Sequence, residues 1–282
     1  MIEELFDLRV DTIPPGSTPS PDAHLARILE PSPALVRQLV PQGWFYKPCW
    51  VTYVLHVPRT LDEHIEQTFH RPAKQKVRKL LRDVPKRYRL LVEEGDAHIA
   101  AFHDLYRRTV VAKPRGIDRV GEHDGGFTDG WLGFYLFDGD AMVAGILVKR
   151  MVRHLSVAYG AFDGDHRKGL DIEHFLLLAV VQKSIERRGR FMSLGVDTNR
   201  YGHHLSLHLP AYKLRIGTAP MPYDPGGREL MKIQSFDPFP DGLFFYAFDD
   251  AKLVGHFFSK TEPDLRPFQH ATTPPITIHK IP

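Results

Sequence analysis

The chain has 282 residues, 43% of them hydrophobic and 25% charged, and a formal net charge of +3. That is ordinary for a soluble globular protein with a sizeable core, and so mild a basic excess does not by itself imply nucleic acid. The single cysteine, Cys49, rules out an internal disulfide framework, and no stretch approaches the roughly 20 apolar residues of a membrane span. The acidic start MIEELFDLRV has no apolar signal core, so a cytoplasmic protein is expected.

Residues 11–35 carry Pro14, Pro15, Pro19, Pro21, Pro31 and Pro33 and read as a wandering surface segment. The β-branched and aromatic run WVTYVLHV (50–57), with Cys49 as a small packed residue before it, predicts a strand. Thr60 caps a helix beginning TLDEHIEQTF. The region 71–89 holds Arg71, Lys74, Lys76, Arg78, Lys79, Arg82, Lys86, Arg87 and Arg89 against one acid, Asp83, with Val77, Leu80 and Leu81 as an apolar edge at helical spacing. YRLLVEE (88–94) predicts a short strand, and Asp96 then caps a helix carrying Ile99, Phe102, Leu105, Tyr106 and Thr109.

Residues 113–130 are loop-like. WLGFYLF (131–137) and AMVAGILVKR (141–150) flank Asp138-Gly139-Asp140 as a hairpin, and HLSVAYGAF (154–162) adds a third strand. A buried helix from Asp171 to Arg188 follows, C-capped by Gly189, then a strand FMSLGV (191–196). That helix is a crossover, so the strands on either side of it should be parallel. YKLRIG (212–217) predicts the start of another strand, LFFYAF (243–248) a strand or part of a helix, and the tail after Lys260 an extended segment. The order implies an α+β, mixed α/β fold with a central mixed, mostly antiparallel sheet flanked by helices.

The loop in YGAFDGDHRKGLDIEHFLLLAVV (159–181) holds Gly164 and Gly169 between a strand and a helix, with Arg167 and Lys168 adding positive charge. Backbone N–H groups at such a place, with the helix dipole behind them, suit a phosphate; a plain turn with solvated charges is the alternative. Helix, three antiparallel strands, glycine loop, buried helix and strand together resemble the GNAT acyltransferase fold. In that family the loop reads Arg/Gln-x-x-Gly-x-Gly/Ala and cradles the pyrophosphate of coenzyme A. Here His166 to Asp171 read H-R-K-G-L-D. Gly169 matches the middle glycine, His166 replaces Arg/Gln, and Asp171 replaces the last small residue. An acid there would repel pyrophosphate, or it serves as the helix N-cap.

Residues 70–109 resemble the FemAB-like branch of the superfamily. Lys76, Arg78, Leu81, Arg82 and Lys86 follow its basic helix, and Phe102, Leu105 and Tyr106 follow its F-x-x-L-Y helix. Leu194-Gly195, then Tyr212-Lys213, Gly217 and Pro220, follow its closing motifs. The resemblance covers about residues 68–223. It implies a GNAT-like catalytic domain at 68–225, an N-terminal extension or truncated GNAT-like half at 1–67, and a C-terminal extension with a proline-rich tail at 226–282.

The resemblance further implies direct acyl transfer, with no triad and no tightly bound cofactor. Backbone at Tyr159, Gly160, Ala161 and Phe162 would polarise the donor carbonyl, and His166, Arg167, Lys168, Gly169 and Lys213 would complete the donor-binding set. Deprotonating an amine acceptor asks for an acid–base group where strand ends meet the cleft. Asp197 leads, with Glu173 and Tyr201 behind it; an Asx turn is the plain alternative for Asp197 and Asn199. Arg78, Arg82 and Lys86 are candidates for phosphate or RNA contacts. His203, His204 and His208 include an i, i+4 pair, but the run H-L-S-L-H lacks the metalloprotease glutamate and no metal is expected. The resulting expectation is an N-acyltransferase using acyl-CoA on a small-molecule or peptide amine. The alternatives are an aminoacyl-tRNA-dependent transferase with tRNA as partner, and an inactive GNAT scaffold acting as a binding module.

Overall fold

The computed structural model describes residues 2–113, 116–122, 126–127, 130–167 and 171–281. β1 (Ile2–Leu5) and β2 (Leu8–Thr12) form an antiparallel hairpin, and β3 (Leu25–Leu29) returns parallel to β2. α1 (Pro33–Leu39) starts at Ser32, whose hydroxyl accepts from the Leu35 N–H, with Pro33 at the first helical position. The segment 11–35 is therefore not the surface wander expected from its prolines. They fall between elements or at a helix start, while L-A-R-I-L buries Leu25, Ala26 and Ile28.

β4 (Phe45–Pro48) and β5 (Trp50–His56) follow. α2 (Leu61–Thr68) is capped by Thr60 as expected, and α3 (Arg71–Arg87) buries Val77, Leu80 and Val84. β6 (Arg89–Glu94) leads to α4 (Ile99–Tyr106), which continues into a π-helical turn at Arg107–Val111. Asp96 does not cap this helix with its side chain; its carbonyl accepts from Ile99 N–H and His98 holds the cap position.

β7 (Trp131–Asp138), β8 (Ala141–Arg150) and β9 (His154–Phe162) form the expected antiparallel meander. Gly139, at φ +58°, turns β7 into β8. β7 and β8 are buried on both faces, which is why their sequences are continuous apolar runs rather than alternating ones. α5 (Ile172–Glu186) buries residues all round its axis, and β10 (Phe191–Thr198) then pairs parallel to β9, as the crossover required. The left-handed residue ending α5 is Arg188, at φ +52°, not Gly189.

α6 (His208–Leu214) occupies the place where a strand was expected over 212–217. Pro210, Ala211 and Leu214 are buried on one helical face, a spacing that the β-favouring letters of YKLRIG concealed. β11 (Ala219–Pro222), β12 (Arg228–Ile233), β13 (Leu243–Asp249), β14 (Lys252–Ser259) and β15 (Ile276–Lys280) complete the chain. LFFYAF is thus a strand, and the tail is a paired one: β15 runs parallel to β14.

Contacts divide the chain into two units. The first comprises 1–53, 196–215 and 219–282. It holds a five-stranded sheet, β1-β2-β3-β12-β4, and a three-stranded one, β13-β14-β15, over a core including Leu8, Leu25, Met231 and Phe245. The second comprises 54–195 and 216–218. Its sheet runs β5-β10-β9-β8-β7-β6, mixed and mostly antiparallel, over a core including Phe102, Leu105, Trp131 and Tyr135. The fold is α+β as expected. The expected boundaries at residues 67 and 225 are not those the contacts draw, because β3 and β4 pair with β12 from the other end of the chain.

Candidate active site

In the second unit, β9 and β10 part. Their parallel register covers Phe191↔His154, Met192↔Leu155 and Ser193↔Ser156 and goes no further, although β9 continues to Phe162. Two local features lie at the parting. β9 bulges where its register with β8 steps from Leu147↔Tyr159 to Val148↔Val157. In β10, Gly195 takes φ +77°, and a Cβ there would stand 2.9 Å from the Val157 carbonyl. Tyr159, Gly160 and Ala161, beyond the bulge, keep register partners in β8. The Tyr159 ring stacks on Trp131, and Ala161 is fully buried.

The chain then turns. The Asp163 carboxylate accepts from the Asp165 N–H at 3.1 Å, and a short 3₁₀ turn spans Asp165–Arg167. His166 approaches the Tyr88 hydroxyl at 3.4 Å and Asp138 at 3.6 Å. Lys168 and Gly169 lie outside the described residues. Asp171 caps α5, its carboxylate accepting from His174 N–H at 3.0 Å, which decides between the two expectations for this acid. Glu173 is half-buried in the first turn of α5, in the second unit, whereas Asp197, Tyr201 and Lys213 all belong to the first.

Those three are brought together in a buried cluster. Lys213 Nζ donates to Asp197 Oδ1 at 2.7 Å, and Tyr201 donates its hydroxyl proton to Asp197 Oδ2 at 3.2 Å. The Tyr53 hydroxyl lies 3.0 Å from that of Tyr201 and 3.5 Å from that of Tyr246, and its one proton can go to either. Lys213 Nζ also stands 5.2 Å from the centre of the Tyr53 ring. Burial pushes the Tyr53, Tyr201 and Tyr246 hydroxyls well above the ordinary tyrosine range, so all three stay protonated near neutral pH. The result is a line of adjoining hydroxyls from Tyr246 to the Asp197–Lys213 pair. Lys213, expected among the donor-binding residues, has its ammonium engaged by Asp197.

Asn199 is structural. Its amide nitrogen donates to the carbonyls of Pro48 (2.9 Å) and Tyr246 (2.7 Å), and its oxygen accepts from Tyr246 N–H (2.8 Å). A second buried ion pair was not foreseen: Lys47 Nζ donates to Glu229 Oε1 at 2.7 Å. Burial opposes the Glu229 carboxylate, and the charges of Lys47 and Arg200 outweigh it, holding its pKa below the usual range. Its only trace in the sequence is a lysine inside an aromatic strand, F-Y-K-P. Burial pushes the Cys49 thiol up to about 11, which suits a packed residue and not a thiolate.

On α3, Arg78 pairs with Glu66 at 2.6 Å, while Arg82 and Lys86 reach Asp83 at 3.1 and 3.3 Å. All three remain exposed.

No protein-family model matches the chain, and no curated protein matches it. Solved structures do. FemX is 14% identical over 75% of this chain and 72% of that one, with a TM-score of 0.45. L-PGS from Bacillus licheniformis is 10% identical over 73% and 67%, at 0.46. A GCN5-related N-acetyltransferase from Sphaerobacter thermophilus is 14% identical over 73% and 57%, at 0.38.

Proposed function

We propose that the chain is an N-acyltransferase that moves an acyl group directly from coenzyme A to an amine. One observation carries this reading: β9 and β10 separate after Ser156 and Ser193, with a bulge on one strand and a left-handed glycine on the other, and β9 then turns into α5. Where adjacent strands diverge before a helix start, a crevice opens in which an extended ligand lies along exposed backbone. In the reaction the amine nitrogen attacks the thioester carbon, the C–N bond forms, the C–S bond breaks and the sulfur leaves as thiolate or thiol. The amine loses one proton. Backbone near Tyr159–Phe162 would hold the carbonyl oxygen, and the loop of His166, Arg167, Lys168 and Gly169 would bind the donor phosphates.

Asp197 and Tyr201, in the first unit, are the first candidates to accept that proton. Lys213, which donates to Asp197 Oδ1, would position that carboxylate. Glu173, in the first turn of α5, is the next candidate for that proton. The exposed cations of α3 favour one second reading, an aminoacyl-tRNA donor, in which an ester C–O bond breaks in place of C–S.

Thermal unfolding with CoA, acetyl-CoA and charged tRNA tests the reading. A bound donor at a hundred times its Kd adds about 2.7 kcal/mol, a rise of several degrees. A rise with CoA compounds that Gly169→Val abolishes supports the first reading, and one that is destroyed by ribonuclease supports the second. No rise with either leaves the inactive scaffold.

A further inference from the structure

Val152, in the turn between β8 and β9 of the second unit, is 100% exposed, and its neighbour Met151 43%. Beside this turn lies a cleft of about 420 Å³. Four arginines line it: Arg153 from the turn, Arg187 and Arg188 from the end of α5, and Arg190 just before β10. The backbone fixes their proximity, since Arg190 N–H donates to the Arg153 carbonyl at 3.1 Å. Of the nearby acids, Glu94 pairs with Arg150 and reaches Arg187 at 3.8 Å, and Glu186 pairs with Lys183. Among the described residues, Arg153, Arg188 and Arg190 form no ion pair with a carboxylate.

The carbonyl end of α5 favours cations and accounts for Arg187 and Arg188. It does not account for Arg153 and Arg190, brought alongside from other segments. Like charges massed without acids cost free energy unless an anion joins them. Nor does any of this explain a bare valine at the tip.

We infer that this corner docks on a membrane surface bearing anionic phospholipid. The guanidinium forks match lipid phosphates, and Val152 and Met151 enter the boundary between headgroups and acyl chains. An RNA partner fits less well, because an apolar tip has no place against a phosphate backbone. The contact is peripheral, since among the described residues no helix is long and apolar enough to cross a membrane. It is also separate from the proposed donor turn. That turn opens α5, the cleft closes it, and fifteen residues of helix lie between, about 22 Å.

The test is co-sedimentation of the full chain with vesicles of phosphatidylcholine, alone or mixed with phosphatidylglycerol. Binding is expected to the mixed vesicles only, weakening as salt rises. Val152→Asp touches no core and should lower vesicle affinity roughly tenfold. Arg153→Gln with Arg190→Gln should lower it roughly 25-fold, at about fivefold per cation. Unchanged unfolding midpoints will show that both variants fold. No sedimentation with the mixed vesicles, or equal sedimentation of parent and both variants, overturns the inference. So does binding of tRNA or of free glycerol phosphate at this cleft without vesicle binding, which would assign it to a nucleic acid or a small phosphate compound.

Discussion

Asp197 accepts from Lys213 on one oxygen and from Tyr201 on the other, so replacing it does more than remove a base. Asp197→Asn breaks the buried pair with Lys213, which costs about 3–5 kcal/mol. Turnover lost in that variant alone would not identify a base. The double variant Asp197→Asn, Lys213→Met removes both charges and should recover most of the stability, as a chemical-denaturation cycle will show. If Asp197 takes the proton, the stable double variant loses roughly 10²–10⁴-fold in kcat relative to Lys213→Met alone. Asn199→Ala makes the opposite prediction. It strips partners from the Pro48 and Tyr246 carbonyls and from the Tyr246 N–H, so it should lower stability by roughly 3 kcal/mol or more while leaving donor affinity alone. At this scale D-T-N-R-Y stood out in the sequence as a place of polar residues after a strand. Which of them is buried against which was not readable, because Tyr53 and Tyr246 come from segments far away in the chain.

α3 owes its helix to Val77, Leu80 and Val84 facing the core, and its cations have no part in that packing. Arg78, Arg82 and Lys86 make exposed pairs with Glu66 and Asp83, and such pairs contribute little. Replacing all three with alanine should therefore leave the unfolding midpoint nearly unchanged. If the helix contacts donor phosphates, the same variant weakens donor binding and flattens its salt dependence, steeply for tRNA and mildly for CoA, as titrations at increasing salt will show. Most elements were legible from period alone: the β7–β8–β9 meander, α5, and the parallel return of β10. Two misreadings of elements share one cause. At 25–29 and 212–217 local composition argued one way, prolines against a strand and β-favouring letters against a helix, and burial decided otherwise.

The whole molecule carries buried histidines in both units. Burial holds His64, in the second unit, down to about 4, and burial with the adjacent His279 does the same to His256, in the first. Unfolded, each would titrate near 6.5. Between pH 6.5 and 4 the unfolded chain therefore binds protons that the folded chain refuses, and stability falls as pH drops through that window. His64 contributes about 3 kcal/mol of that loss. Unfolding midpoints from pH 7 down to 4.5 should decline steeply, and His64→Gln should make the decline shallower without raising stability at pH 7.

Some of this was determined by the sequence by itself. Continuous apolar runs could only be strands buried on both faces, an apolar 15-residue stretch between two strands could only be a buried crossover, and Asp171 stood where a helix needed a cap. Those are local consequences of side-chain period and backbone hydrogen bonding. Tertiary structure alone decided the rest. The first unit is assembled from three separate stretches of chain, so β3 and β4 find β12 across nearly 200 residues, Lys47 finds Glu229, and Asp197 gains the lysine and tyrosines that define its chemistry. Pairings over such separations depend on which surfaces can be buried together, and no local period encodes that.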